Sequence, residues 1–264
     1  MKLLITGAYG LIAWEAYKRF RDRGDETYAL ARRREPSERV AEGAEIHVPD
    51  DRFFLADLTD YKGVRKAVDG MDVVVQMAAD PRPDAPWENI LNSNMIGAYN
   101  VFEACRDAGV RRIVYASSIM TNWGYWEEEP YKAIREGRFD DVPEDMHIIT
   151  ASDPPRPTEP YSASKVWGEA LARTYSDAHG LSCICIRIGW VNAEDSPQGS
   201  PISPVWCSQR DIVQMIERCV DAPDSMRFDI FYGISNNEHC WVDVERGKEI
   251  GFEPADKAEE ANDQ

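Results

Sequence analysis

Between Asp72 and Ala79 the chain reads DVVVQMAA, an apolar run with no alternation of polar and apolar positions. A strand of that kind has no face to offer water. It belongs inside a parallel sheet covered by helices on both sides. The surrounding sequence fits that demand. Strands are predicted at KLLIT (2–6), ETYALA (26–31), RFFLADL (52–58), RRIVYASS (111–118) and LSCICIRIG (181–189). Helical spacing falls between them, from Leu11 to Arg23, at GVRKAVDG (63–70), at WENILNSNMIGAYNVFEACRDAG (87–109) and from Tyr161 to about His179. Strands that alternate with helices in this way predict an α/β fold with a doubly wound parallel sheet.

Two stretches break the rhythm. Residues 122–160 are rich in charge, aromatics and proline, and a loop that long inside a domain is usually functional. After Gly189 the strand–helix alternation is lost. We expect a single domain over 1–264, with 122–160 and 190–254 contributing a small substrate-facing cap on the sheet.

Charge narrows the partners. The formal net charge is −17, and such a surface repels nucleic acid and anionic membrane while leaving room for a local basic pocket. The excess acid fits a salty habitat and fits simple solubility equally well. The acidic tail ADKAEEANDQ is expected to fray. No apolar run is long enough to cross a bilayer, and MKLLITGAYG enters a strand and turn directly, so the chain reads as cytoplasmic. Six cysteines and four histidines show no metal-ligand spacing, so no metal site is expected.

The turn ITGAYGLIA (5–13) joins the first strand to the first helix. Gly7 and Gly10 keep side chains away from the backbone, so N–H groups and the helix N-terminus can receive a pyrophosphate. This makes the sheet Rossmann-type and Gly7, Tyr9, Gly10, Leu11 and Ile12 candidate cofactor contacts. Arg32, Arg33 and Arg34 follow the second strand, where an acidic residue would favour NAD and arginine favours NADP. NADP is therefore the favoured cofactor and NAD the alternative. Asp57 and Leu58 close the third strand, Asp57 as a cap on the adenine, and Ala78 and Ala79 close the fourth.

The glycine turn, DL at 57–58, NMIG at 94–97, YASS at 115–118 and YSASK at 161–165, taken in this order, resemble the extended short-chain dehydrogenase/reductase family. The likeness spans nearly the whole chain. RIG at 187–189 and segments 203–220 and 231–254 resemble the uronate dehydrogenases, and DPRPDAPWENIL (80–91) the haloarchaeal NAD-dependent glucose-6-phosphate dehydrogenases. The resemblance implies oxidation of a sugar C1 hydroxyl to a lactone, a sugar or sugar-acid substrate, and a homodimer paired through its long helices.

Tyr161 and Lys165 are four apart, so a helix places them on one face. An ammonium beside a phenol favours the phenolate, the form a general base needs. The resemblance makes Tyr161 the base, Lys165 a further ligand of the nicotinamide ribose, Ser118 the hydroxyl that holds the reacting oxygen, and Asn94 a support for the lysine. It makes Arg187 the residue that grips a substrate carboxylate, while a charge inside an apolar strand fits an internal ion pair equally well. Arg82, Ile119, Met120 and Asn122 complete the candidate substrate contacts, with Trp123, Tyr125 and Trp126 as a possible aromatic wall. Ile119-Met120 departs from the Asn-His of those relatives, which points to a less polar or differently held substrate. Two other functions fit the same motifs: a sugar epimerase or dehydratase without net redox change, and a non-enzymatic dinucleotide sensor.

Overall fold

The structure is a computed structural model and describes residues 1–197 and 199–261. The chain begins with β1 (Lys2–Thr6), α1 (Leu11–Asp22), β2 (Glu26–Ala31), β3 (Phe53–Leu55), α2 (Tyr61–Val68) and β4 (Val73–Gln76). It continues through α3 (Trp87–Asn89), a π-helical segment (Ile90–Ile96) and α4 (Gly97–Ala108) to β5 (Arg112–Ser118). Then come α5 (Tyr131–Arg135), α6 (Pro160–His179), β6 (Ser182–Ile188), α7 (Gln209–Asp221), β7 (Phe228–Gly233) and α8 (Ala258–Ala261). All seven strands pair in parallel in the order β3-β2-β1-β4-β5-β6-β7. The order turns back between β1 and β4, the switch point at which such sheets open a crevice beyond their strand ends.

The two-sided burial expected of the central strands is met. Leu3 and Ile5 of β1 and Val73 and Val75 of β4 face the layer holding Phe20 of α1 and Ile216 of α7. Leu4 and Val74 face the opposite layer, with Val64 of α2, Phe102 of α4 and Tyr175 of α6. Each such side chain contributes roughly 1.5–3 kcal/mol through burial. A third apolar cluster lies apart from both layers and ties residues 119–149 to 205–242 through Trp126, Tyr131, Ile149, Tyr232 and Trp241.

Several boundaries differ from the sequence reading. The third strand is shorter, Phe53–Leu55, because Asp57 turns the chain by accepting from the Thr59 N–H at 2.9 Å. The fourth ends at Gln76, because Thr6 Oγ1 takes the N–H groups of Met77 (3.1 Å) and Ala78 (3.0 Å) out of the ladder. The long helix is interrupted by the π segment. The strand–helix rhythm resumes after Gly189, since α7 and β7 complete the sheet's far edge. The helical period of α7 (Ile212, Met215, Ile216, Cys219, Val220) was legible and was overlooked, while in β7 Asp229 interrupts the apolar run. Residues 262–264 of the tail expected to fray lie outside the described residues.

Candidate functional site

A cavity of about 770 Å³ opens at the carboxyl ends of β1, β4 and β5, where the sheet order reverses. One wall is the β1–α1 turn. Gly7 has φ +70°, and a Cβ there would lie 2.9 Å from the Ala78 Cα, so the turn and the end of β4 approach as only glycine permits. Gly7 N donates to Leu30 O at 2.7 Å and Gly10 N to Gly7 O at 2.8 Å. The first turn of α1 carries no acidic residue and no side-chain cap. Its N-terminal N–H groups therefore remain suited to an anion. These features fit a dinucleotide, with the pyrophosphate on the turn.

Gly7, Tyr9, Gly10, Leu11, Ile12, Arg32, Arg33, Asp57, Leu58, Ala78 and Ala79 all line this cavity. Arg32 and Arg33 are exposed on it. Arg34 is spent elsewhere, on Asp50 at 2.7 Å and over the Phe53 ring at 4.2 Å. The Asp57 carboxyl is held below its usual range, chiefly by the hydrogen bond from the Thr59 N–H.

The other side of the cavity is set by β5 and α6. Glu159 and Ser162 form a reciprocal capping box, and Pro160 occupies the first helical turn, so α6 starts just before Tyr161. Further along the helix, Gly168 makes room for the Tyr115 ring, which a Cβ would overlap. Three consecutive β5 residues then engage one face of α6. Ser118 Oγ, which accepts from Met120 N at 3.1 Å, lies close enough to the Tyr161 hydroxyl to lower its pKa. Lys165 Nζ donates to Ala116 O at 2.8 Å. Ser117 Oγ donates to Glu169 at 2.6 Å. Ser118, Tyr161 and Lys165 thus meet at the cavity.

The electrostatics of this trio differ from the sequence expectation. Burial raises the Tyr161 pKa above the ordinary tyrosine value, and the Ser118 hydroxyl and the Arg39 charge offset this only in part. Lys165 is itself pushed down to about 8 by burial, with Glu169 opposing. Among the protein's own groups, desolvation therefore outweighs the expected lowering of Tyr161 by Lys165.

Asn94 sits in the π segment, outside the cavity lining. Its amide brackets Asp80, accepting from Asp80 N at 2.8 Å and donating to Asp80 O at 3.0 Å, and it donates to Ser164 Oγ at 3.3 Å. Its support therefore reaches the loop after β4 and the residue before Lys165. Arg82 lines the cavity but is held by Asp80 through Nε (3.0 Å) and Nη2 (2.7 Å).

Arg187 and Asn122 are absent from the cavity lining, so the substrate contact considered for each is not met and Arg187 takes the internal ion pair instead. Arg187 is 1% exposed, and its guanidinium pairs bidentately with Glu169, both distances 2.9 Å. It also donates to Asn122 Oδ1 at 2.7 Å and the Tyr232 hydroxyl at 2.9 Å. A buried cation demands such a partner, and Glu169 leaves none of this one for a ligand. Ile119, Met120 and Trp123 do line the cavity. Trp126 instead stacks among Trp123 and Trp241, and Tyr125 donates to Pro154 O at 3.0 Å.

Sequence reasoning missed Glu169, Asp80, Trp190, Ile202 and Val205. Glu169 was recoverable, because it lies one helical turn beyond Lys165 on the same face. The last three come from the irregular stretch after Gly189, where no periodicity marks which side chains turn inward.

The comparisons agree with this architecture. The model of the NAD dependent epimerase/dehydratase family matches residues 3–203. The chain is 33% identical to the NAD-dependent glucose-6-phosphate dehydrogenase of Haloferax volcanii, over 81% of this chain and 79% of that protein. It is 31% identical to the L-arabinose 1-dehydrogenase (NAD(P)(+)) of the same organism, over 97% of each. Among solved structures, uronate dehydrogenase from Agrobacterium tumefaciens superposes with a TM-score of 0.79 at 28% identity, covering 98% of this chain and 86% of that one.

Proposed function

The chain belongs to the NAD dependent epimerase/dehydratase family, and from that premise we propose that it is an NAD(P)-dependent sugar dehydrogenase that oxidises a C1 hydroxyl to a lactone. The observation that carries this reading is the convergence of Ser118, Tyr161 and Lys165 on one cavity with the glycine turn. The dehydrogenase relatives support the redox outcome.

In this mechanism Ser118 receives the reacting hydroxyl and holds it against Tyr161. Tyr161, as phenolate, takes the hydroxyl proton. A nicotinamide held by the glycine turn and Lys165 would supply the hydride acceptor. Lys165, fixed by Ala116 O, orients the ribose and stabilises the phenolate once charge develops nearby. Asn94 positions this unit from behind through Asp80 and Ser164. Residues 122–160 and the parts of 190–254 outside α7 and β7 act as the cap. Arg32 and Arg33 favour NADP by offering free guanidinium groups where a 2′-phosphate would lie. The protein acts as a homodimer, and Ile96 and Tyr99, 38% and 46% exposed on the long helix, suit the contact.

The test is a panel of aldoses, uronates and sugar phosphates with NAD and NADP, following reduced cofactor and product together. Equimolar reduced cofactor and lactone support the proposal. An epimerised or dehydrated product without net reduction would overturn it.

A further inference from the structure

The part of the cavity built by the cap has a chemical character of its own. Ile119, Met120, Trp123, Trp190, Ile202 and Val205 line it. None carries a charge or an aliphatic hydroxyl. Among the described residues, Arg187 is turned onto Glu169, and the Asn122 amide oxygen is taken by Arg187, its buried Nδ2 being left without a protein partner. The cations that do line the cavity arise elsewhere. Arg32, Arg33 and Arg39 stand on the loop after β2, which is fastened to the glycine turn by Ser37 N donating to Tyr9 O at 2.9 Å. Arg82 is neutralised by Asp80, and the Lys165 ammonium is bound to the Ala116 carbonyl.

A carboxylate or phosphate placed against this wall would lose its hydration and find no counter-charge in the wall itself, the Arg39 charge that reaches Tyr161 coming from the loop after β2. A C–H face or a methyl group would instead gain from burial against aliphatic and indole surfaces. We propose that the substrate is an uncharged sugar, and that its end remote from C1 presents hydrogen or methyl rather than carboxylate or phosphate to the wall of Ile119, Met120, Trp123 and Trp190. This inference rests on the dehydrogenase reading and narrows its substrate class.

The test varies one substituent at a time. In the galacto series L-arabinose, D-fucose, D-galactose, D-galacturonate and D-galactose 6-phosphate carry H, CH3, CH2OH, carboxylate and phosphate at the same place. D-xylose, 6-deoxy-D-glucose, D-glucose, D-glucuronate and D-glucose 6-phosphate form the matching gluco series. With the full chain and saturating cofactor, kcat/KM for the H or CH3 member should exceed that for the carboxylate and phosphate members by at least about tenfold. Met120→Arg, which puts a cation on the wall, should shift the ratio of uronate to neutral sugar upward by about tenfold. A preference for uronate or phosphate in the unaltered protein overturns the inference while leaving the dehydrogenase reading intact. So does an unchanged ratio in the Met120→Arg protein. A uronate preference that disappears in Arg39→Gln would assign the anion to the loop after β2. No cofactor reduction in either series would overturn the dehydrogenase reading, and the inference with it.

Discussion

The glycine-turn wall and the cap wall of the cavity reach the same space by opposite means. The turn wall is mostly backbone and small residues, held by the sheet and by contacts such as Gly7 against Ala78. The cap wall is made of large side chains from residues 119–126 and 188–205, held by the apolar cluster around Trp126 and Trp241 and by the buried bonds of Arg187. A wall of backbone suits the pyrophosphate that NAD and NADP have in common. A wall of side chains is where recognition can change without altering the sheet. Between the two lies the β5–α6 seam that carries Ser118, Tyr161 and Lys165.

The contrast can be broken most severely from beneath the cap. Glu169→Gln removes the counter-charge of a buried guanidinium, and urea unfolding should show a loss of about 3–5 kcal/mol. Loss of less than about 1 kcal/mol would mean that Arg187 finds other partners among Asn122 and Tyr232. On the turn wall, Gly7→Val forces a branched residue into a left-handed conformation and onto the Ala78 backbone. Calorimetric titration should show dinucleotide affinity falling about 100-fold, with strain of a few kcal/mol as the cause.

Lys165→Met sharpens the middle. Lys165 is lowered from 10.5 to about 8, so between these values the unfolded chain binds more protons and stability rises with pH. Below about 8 the buried charge is a cost. The variant should gain about 1–3 kcal/mol at neutral pH, less whatever the Ala116 carbonyl loses, and its stability should no longer climb from pH 8 to 10.5. The same change should abolish turnover. The smallest effect is expected at the rim of the turn wall. Arg32→Ala with Arg33→Ala should raise the KM for NADP about tenfold and leave NAD nearly unchanged. A protein that prefers NAD from the start would remove the cofactor argument from this pair.

The same division decides what could be read in the sequence. The glycine turn, the buried strands and the Tyr161–Lys165 spacing are local patterns, and the sheet placed them as expected. Arg187 stayed open between a substrate grip and an internal ion pair, because a charged residue inside an apolar strand needs a partner that its neighbours in sequence do not reveal. That partner, Glu169, is 18 residues away and meets it only through the packing of α6 on β6. The inner face of the cap was illegible for a related reason. Trp190, Ile202 and Val205 lie in irregular chain, where no helical or strand period marks the buried side. The π segment around Asn94 likewise left no trace in a sequence that reads as ordinary helix.

Tyr161→Phe tests the central claim most directly, because it removes one oxygen and little else. Turnover with the best sugar of the panel should fall by at least about 100-fold, while the dissociation constant for NAD(P) stays within about twofold. Turnover within about threefold of the unaltered protein would show that the proton leaves by another route, and would contradict the assignment of Tyr161 as the base.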